Sequence, residues 1–175
     1  MMTRSATISA CKKYRWSLTR RWNDKRPMVT WIMMNPSTAD ANNDDRTIER
    51  IIKFSSKWGY GGLMVANVYP YRSPNPKECL EWARYWETND WDARDALMQN
   101  ENVITKLVKI SSKVIVAWGA NPDDIYLDNI LAAISDGGIN ELYCLGTTKN
   151  GHPKHPLARG KHYNPDDFEP IHWRK

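Results

Sequence analysis

Four short apolar runs recur along the chain, and each one ends in polar or glycine-containing sequence. They cover residues 28–34, 63–68, 114–118 and 141–145. Nearly continuous apolar runs of this length are typical of strands buried on both faces, as in a parallel sheet covered by helices. We therefore expect these four runs to form one parallel sheet.

Segments with helical spacing separate the four runs. Residues 44–58 place apolar side chains at roughly helical intervals and begin with acids, which favour the amino end of a helix. Residues 76–109 indicate two helices interrupted near residues 87–89, and another helix is expected from about residue 123 to residue 135. Strands that alternate with helices predict an α/β fold with helices on both faces of the sheet.

Length and composition favour a single domain. The chain has 175 residues, of which 41% are hydrophobic, and this is enough to build a core without crosslinks. We expect one α/β domain over residues 1–175, with a basic amino-terminal segment at residues 1–26 and a polar tail at residues 160–175.

The cysteines and the absence of long apolar runs indicate the cellular compartment in which the protein is expected. The three cysteines are widely spaced and none belongs to a CxxC pair, which indicates reduced thiols in the cytoplasm. No run approaches the roughly 20 apolar residues that a membrane span needs, and the first 25 residues lack a signal-peptide core. We expect a soluble cytoplasmic protein with no membrane partner.

The net charge of +5 is concentrated at the amino end of the chain, where the first 26 residues hold eight cations and one acid. Three aromatic residues are interleaved with these cations: Tyr14, Trp16 and Trp22. This mixture suits phosphate contact and base stacking, so we expect nucleic acid as the partner, with Arg20 and Arg21 on its phosphates. The alternative is an antiparallel edge hairpin whose Lys and Arg side chains are solvated.

Two asparagines lie at the ends of predicted strands. Pro36 stops the first strand and restricts Asn35 to an extended or turn conformation, while Asn67 lies near the end of the second strand. Parallel strands open at a common edge, where α/β sheets bind ligands, so both amides are expected in one cleft. An amide offers a donor and an acceptor to a nucleobase edge; a simple turn-forming role is the alternative.

Hydroxyls and acids follow Asn35 in the segment 37–45. Asp44 or Asp45 is expected to cap the next helix, whereas Asp40 is a candidate to orient or deprotonate a water molecule. The three acids have no defined spacing for Mg²⁺, so no metal site is predicted.

Two histidines lie in a proline-bounded loop after the fourth strand. His152 and His155 are flanked by Lys149 and Lys154, and they have no acidic or cysteine neighbour that favours zinc. This setting favours donation to an anion or to a developing negative charge, and it adds both lysines as candidate phosphate contacts. The chain lacks dinucleotide-binding, Walker A, nucleophile-elbow and CxxC motifs, so no cofactor is predicted.

Several motifs resemble those of an uncharacterised domain-of-unknown-function family of prokaryotes and phages. They are MNPSTAD at 34–40, DDRTIERIIKFSSKWGYGGL at 44–63, VIVAWGA at 114–120 and GHPKHPL at 151–157. The order of these motifs is also similar to that of the uracil-DNA glycosylase superfamily. That resemblance implies a three-layer α/β/α fold around a four-stranded parallel sheet, and base flipping as the mode of binding.

The glycosylase resemblance also implies roles for individual residues. Asn35 would position water, Asn67 would recognise the base, and either His152-Pro153 or His155-Pro156 would stabilise the departing base. The other candidate base-binding residues are Pro36, Ser37 and Tyr69.

The leading functional hypothesis is therefore a DNA glycosylase-like hydrolase that acts on a normal or modified base in nucleic acid. One alternative is a non-catalytic nucleic-acid or nucleotide-binding module of the same fold. The other is an enzyme that acts on free nucleotides.

Overall fold

The computed structural model describes residues 1–84, 91–120, 122 and 124–173. Within these residues the strands are β1 (Thr3–Ile8), β2 (Arg15–Arg21), β3 (Met28–Met33), β4 (Gly62–Asn67), β5 (Lys113–Val116), β6 (Leu142–Cys144) and β7 (Ile171–Trp173). The α-helices are α1 (Arg46–Lys57), α2 (Pro76–Ala83), α3 (Trp91–Lys109) and α4 (Asp124–Asp136). The α/β class predicted from the sequence is confirmed, and the interruption expected near residues 87–89 lies outside the described residues.

The strands form one mixed sheet in the order β1-β2-β4-β3-β5-β6-β7. Its central part, β4-β3-β5-β6, is parallel and contains the four runs identified in the sequence. The expected four-stranded sheet is nevertheless wrong, because the β1–β2 hairpin and β7 extend the sheet with antiparallel strands on its two sides. These added strands carry many polar side chains, so they lack the continuous apolar pattern that marks the central strands.

The central strand β3 is buried along its whole length, and its side chains alternate between two hydrophobic clusters. Trp31 belongs to the cluster on the α1 side with Ile51 and Phe54, whereas Ile32 packs on the opposite face with residues of α3 and α4. Helices therefore cover both faces of the sheet, as a strand that is apolar on both faces requires.

Helix α1 begins where the sequence pattern indicated. The side chain of Asp45 caps it by accepting hydrogen bonds from the backbone N–H groups of Thr47 and Ile48. The helix is followed by Gly59, whose φ of 86° belongs to the left-handed region that favours glycine. The start of α1 consequently lies at the carboxyl edge of β3, close to the loop that follows this strand.

The polar carboxyl-terminal segment contributes a strand to the sheet. Trp173 of β7 packs edge-on against Trp118, with the ring centroids 5.1 Å apart. Its indole Nε1 also donates a hydrogen bond to the backbone oxygen of Gly151 at 2.9 Å. Strand β7 thereby supports the histidine-containing loop.

The basic amino-terminal segment is divided by β2 between opposite edges of the sheet. Residues 12 and 13 lie in the β1–β2 turn at the carboxyl edge of β4, since the N–H of Arg15 bonds to Pro70 O and the N–H of Arg72 bonds to Lys13 O. Arg21 pairs with Gly62 at the amino end of β4, and residues 25 and 26 follow in the turn before β3. The cations therefore do not form one surface.

Arg20 does not have the exposed position that phosphate contact requires. Its side chain is 0% exposed, and its Nε donates to Asp44 Oδ1 at 2.7 Å. Its other nitrogens donate to backbone carbonyls, including that of Asp40 at 2.5 Å. Arg20 thus joins β2 to the loop before α1, whereas Arg21 is partly exposed and pairs with Asp24.

We expect the Arg20→Met substitution to lower the free energy of unfolding by about 3–5 kcal/mol, because it removes the donor of several carbonyls and of Asp44 Oδ1, and leaves this mostly buried carboxylate with Arg4 as its cation. Arg21→Met is the matched control and is expected to cost at most about 1 kcal/mol, as for other exposed pairs. Urea unfolding followed by circular dichroism measures both values. Equal midpoints for the two variants would contradict the structural role of Arg20.

Candidate functional site

The loops that follow the four parallel strands meet at the carboxyl edge of the sheet and surround a pocket of about 470 Å³. Its polar and aromatic lining residues include Arg15, Asn35, Asp45, Asn67, Trp118 and His155. Asn35 follows β3, Asn67 ends β4, Trp118 follows β5 and His155 follows β6. The structure therefore brings four of the residues selected from the sequence, Asn35, Ser37, Asn67 and His155, to one pocket.

The amide of Asn35 has a defined orientation. Its Nδ2 donates to the carbonyl oxygens of Ser73, at 2.8 Å, and Pro36, at 3.1 Å. A carbonyl only accepts hydrogen bonds, so the NH₂ group must face these two partners. The side-chain oxygen Oδ1 is left without a donor among the described residues, and it is therefore available to a ligand or a water molecule.

Asn67 is oriented by a different kind of partner. Its Oδ1 accepts a hydrogen bond from Nη2 of Arg15 at 3.3 Å, and a guanidinium group only donates. Its backbone oxygen is held by Nδ2 of Asn100 at 2.8 Å. Within the described part of the chain, the polar group of the Asn67 side chain that has no partner is the donor Nδ2. The sequence analysis expected the Asn67 amide to offer a ligand both a donor and an acceptor. In the structure its acceptor is already occupied by Arg15.

Arg15 is a pocket residue that the sequence did not identify. Its side chain is almost fully buried, and its Nη1 donates to the backbone oxygen of Ala39 at 2.9 Å. Its Nε has no acceptor among the described residues. Desolvation lowers the pKa of Arg15 to about 10, although the nearby carboxylate of Asp45 opposes this change. The protein therefore keeps a cation in the pocket wall without completing its hydrogen bonds.

A backbone irregularity accompanies the position of Arg15. The pairing of β1 with β2 shifts in register between Thr7 and Ile8, so that Ile8 pairs with Arg15 and Trp16 is passed over. Bulges of this kind redirect side chains and occur often beside functional sites. The strand alternation of the sequence alone does not predict such a shift.

The acid in the pocket is Asp45 rather than Asp40. Oδ1 of Asp40 accepts hydrogen bonds from the backbone N–H groups of Asn42 and Asn43, which lower its pKa and tie it to its own loop. Asp45 caps α1 through Oδ1, and its Oδ2 accepts no hydrogen bond from any residue that the structure describes. Asp45 is therefore a cap and also a candidate acceptor for a proton.

His155, and not His152, lines the pocket. The Nδ1 atom of His155 accepts a hydrogen bond from the backbone N–H of Leu157 at 3.1 Å, so the neutral ring carries its proton on Nε2. Burial lowers the pKa of His155, which favours this neutral form. Near neutral pH the ring is therefore an N–H donor.

The remaining candidates occupy different positions. Ser37 lines the pocket, whereas the side chain of Tyr69 lies in the core, where it stacks on Tyr126 with a centroid distance of 5.4 Å. Pro36 is buried and supplies a carbonyl that orients Asn35. Lys149 is exposed, and Lys154 is half-buried against Gly146. Pro36 and Tyr69 therefore do not contact a ligand in this pocket as they stand.

Neither a cluster of metal ligands nor a helix that could cross a membrane is found among the described residues. No group of three or more His, Cys, Asp or Glu side chains among them is arranged to hold a metal ion. No helix among them has both the length and the apolar character needed to cross a membrane.

The lowered pKa of His155 predicts a pH dependence of stability. The unfolded chain binds a proton at this histidine near the ordinary pKa of about 6.5, so the folded state binds it more weakly. The free energy of unfolding should therefore rise with pH up to about 6.5 and show no further contribution from this residue above that value.

Replacing His155 by Asn should remove this contribution, because Oδ1 of asparagine occupies the position of Nδ1 and retains an acceptor for Leu157 N–H, but asparagine does not titrate. Urea unfolding of both proteins between about pH 5 and pH 7.5 measures the difference in slope, since the other histidines are common to both. Curves that stay parallel over the whole range would contradict a lowered pKa.

Comparison with known proteins gives a family match that covers the pocket residues. No curated protein and no solved structure matches this chain significantly, so the glycosylase resemblance stays a prediction. A family model described as a protein of unknown function (DUF1643) matches residues 15–157, a range that includes every pocket residue named above. Since this match covers most of the chain, the protein belongs to the DUF1643 family.

Proposed function

We propose that this protein is a hydrolase that binds a normal or modified nucleobase of nucleic acid in the pocket and breaks its N-glycosidic bond. The observation that supports this function best is the meeting of Asn35, Asn67 and His155 at one pocket. A pocket of about 470 Å³ is large enough for one flipped nucleotide base.

The unpaired groups of the pocket suit a hydrolytic step. Oδ1 of Asn35 accepts a hydrogen bond from a water molecule, and Oδ2 of Asp45 takes the proton of that water as it attacks C1′ of the sugar. The new bond joins the water oxygen to C1′, while the bond between C1′ and the base nitrogen breaks. Its electron pair leaves with the base.

His155 acts on the departing base in this scheme. Its Nε2–H donates a hydrogen bond to the base as negative charge develops there. A neutral imidazole is suited to this role because its donor is fixed by the bond between Nδ1 and Leu157 N–H. The stabilisation is strongest in the transition state, when the charge on the base is largest.

Nucleic acid rather than a free nucleotide is favoured by the surface beside the pocket. We define the basic rim as Lys12, Lys13 and Arg72. The backbone N–H of Arg72 donates to Lys13 O at 2.8 Å, so these cations are held together at the pocket edge. Lys12 and Lys13 are exposed and Arg72 is half-buried, and cations in this position suit the phosphates that flank a flipped base.

Aromatic rings adjoin the basic rim. Tyr71 and Trp82 stack with centroids 5.2 Å apart, and Trp82 also contacts Tyr14 at 5.5 Å. Both Tyr71 and Trp82 remain partly exposed. Rings of this kind beside cations are typical of surfaces on which unpaired bases stack.

The first test is base release from a panel of oligonucleotides that carry single normal, deaminated or hypermodified bases, detected by mass spectrometry. For a substrate that the protein cleaves, we expect Asn35→Ala and His155→Ala to lower kcat about 100- to 1,000-fold, since each removes a group that acts chiefly in the transition state. His152→Ala is the matched control and should change kcat little, because His152 lies outside the pocket.

Two outcomes would contradict the hydrolase. If no base is released from any oligonucleotide while binding persists, the protein is a binding module. If base is released only from mononucleotides, nucleic acid is not its substrate. Equal kcat values for His152→Ala and His155→Ala would reject the assignment of His155.

The basic rim predicts how binding depends on salt. Replacing Lys12 and Lys13 together by Ala should weaken binding to single-stranded DNA and reduce the slope of log K against log salt by about one for each lost phosphate contact. The double variant Lys25→Ala/Arg26→Ala removes two exposed cations from the opposite edge, so its slope should stay close to that of the wild type. Fluorescence anisotropy at several salt concentrations measures both, and an equal loss in the two variants would rule out a localised rim.

A further inference from the structure

We propose that Asn164 is a positioning residue for His155: its side chain holds the backbone of the histidine loop in the conformation that keeps the Nε2–H donor of His155 in the pocket. The match to the family model ends at residue 157, so this asparagine of the carboxyl-terminal segment lies outside the matched range. The inference rests on the proposed function only in giving His155 a part in the reaction.

The contact between the two residues is made through the backbone of His155. Nδ2 of Asn164 donates a hydrogen bond to the backbone oxygen of His155 at 2.9 Å, and the N–H of Ala158 donates to the same oxygen at 2.9 Å. The N–H of Leu157 donates to Nδ1 of the ring in the same turn. Both lone pairs of this carbonyl are therefore used, and the turn that sets the ring tautomer is fixed at its first residue.

The buried position of Asn164 is not explained by its own hydrogen bonding. The residue is 1% exposed, and its Oδ1 has no partner among the described residues. A buried amide with an unpaired oxygen is less favourable for folding than an apolar side chain of the same shape. What the asparagine adds is the donor on the backbone oxygen of His155.

Arg50 of α1 fixes Asn164 in turn. Its Nη2 donates to the backbone oxygen of Asn164 at 2.5 Å, and its Nη1 pairs with Oδ1 of Asp166. The guanidinium group lies over the ring of Phe54, 4.5 Å from the centroid, and over the ring of Tyr163 at 5.9 Å. The hydrogen bond from Arg50 lowers the pKa of Asp166, so this pair stays charged near neutral pH. A planar, stacked guanidinium with two acceptors has little freedom, and it therefore holds the segment around residue 164 against α1.

Helix α1 therefore locates two parts of the pocket. Asp45 caps its first turn and lines the pocket directly. Arg50 lies in the second turn of the same helix and acts on His155 through Asn164. The carboxylate that takes the proton of the water and the ring that donates to the base are thus both held relative to one rigid element, which is how a functional geometry is kept precise.

Variants of the full chain provide the test. Asn164→Leu removes the amide and keeps the approximate shape of the side chain, and Arg50→Met removes the donors that fix Asn164. Arg50→Lys retains a cation but restores only one of the two bonds, because an ammonium group has no planar fork. Lys57→Ala is the matched control, since Lys57 lies on the same helix and its Nζ contacts the backbone oxygen of Asp166 instead of Asn164.

The first readout is the tautomer of the His155 ring, which needs no substrate. The two ring nitrogens are observed by ¹⁵N NMR at about pH 8, where a histidine with a pKa of about 6.5 or lower is neutral, and they are assigned by their absence in His155→Asn. The wild type should show two widely separated shifts, as for a ring protonated on Nε2 alone.

The variants should differ in this separation. In Asn164→Leu and Arg50→Met the two shifts should approach each other, because a loosened turn lets Nδ1 carry the proton for part of the time. Arg50→Lys should lie between these variants and the wild type, and Lys57→Ala should keep the wild-type shifts.

The second readout is the rate of base release from an oligonucleotide that the wild type cleaves. Asn164→Leu and Arg50→Met should lower kcat about 10- to 100-fold, because a group displaced by about 1 Å loses much of its effect in the transition state. KM should change less than kcat, since the donor of His155 acts chiefly on the departing base. Lys57→Ala should keep both values, and circular dichroism shows whether each variant is folded.

A folded Asn164→Leu or Arg50→Met variant with the ring shifts of the wild type would overturn the inference, and either variant decides it if the other does not fold. Equal changes in Lys57→Ala would also overturn it, because the effect would then belong to any contact between α1 and this segment. An unchanged kcat in Asn164→Leu on a substrate that His155→Ala cleaves slowly has the same meaning. If no oligonucleotide releases a base while the shifts move as expected, the hydrolase is rejected and the positioning of His155 by Asn164 is supported.

Discussion

Parallel hydrogen bonding of β3 to β4 on one side and to β5 on the other determines where Asn35, Asn67 and Trp118 lie. Since the three strands point the same way, the loops after them must leave the sheet at one edge. Burial of β3 on both faces requires helices on both sides, and α1 therefore starts at that edge with Asp45. The pocket is a consequence of this arrangement, because the strand ends, a helix start and the β1–β2 turn converge there.

Two buried arginines of β2 illustrate how a protein can use the same side chain in different ways. The guanidinium group of Arg20 is enclosed by a carboxylate and several carbonyls, so its burial is compensated within the fold. Arg15 donates hydrogen bonds to one backbone carbonyl oxygen and one amide oxygen only, and its Nε–H has no partner among the described residues. Incomplete pairing of a buried cation is costly, and such groups often mark sites where a ligand supplies the missing partner.

The sequence predicted the central strands and helices well, because strongly apolar or periodic segments are decided by burial. It also selected Asn35, Asn67 and His155, whose common location follows from parallel strand direction alone. It missed Arg15 because a cation in a polar strand normally indicates a solvated face, and only the pairing of β2 with β4 shows that this strand is interior to the sheet. The sequence analysis selected Asp40 rather than Asp45 as the catalytic candidate because it assigned Asp45 to helix capping alone. In the structure Asp45 caps α1 and also lines the pocket.

The contact of Trp173 with Trp118 and with the loop at Gly151 has a consequence for how the protein is made. The pocket is assembled from parts of the chain that are far apart in sequence, from Arg15 in β2 to the loop that β7 supports. During synthesis the early strands can pair as they emerge, but the histidine loop lacks its last support until residue 173 has left the ribosome. A nascent chain therefore carries a nearly complete sheet before the last contact of the histidine loop can form.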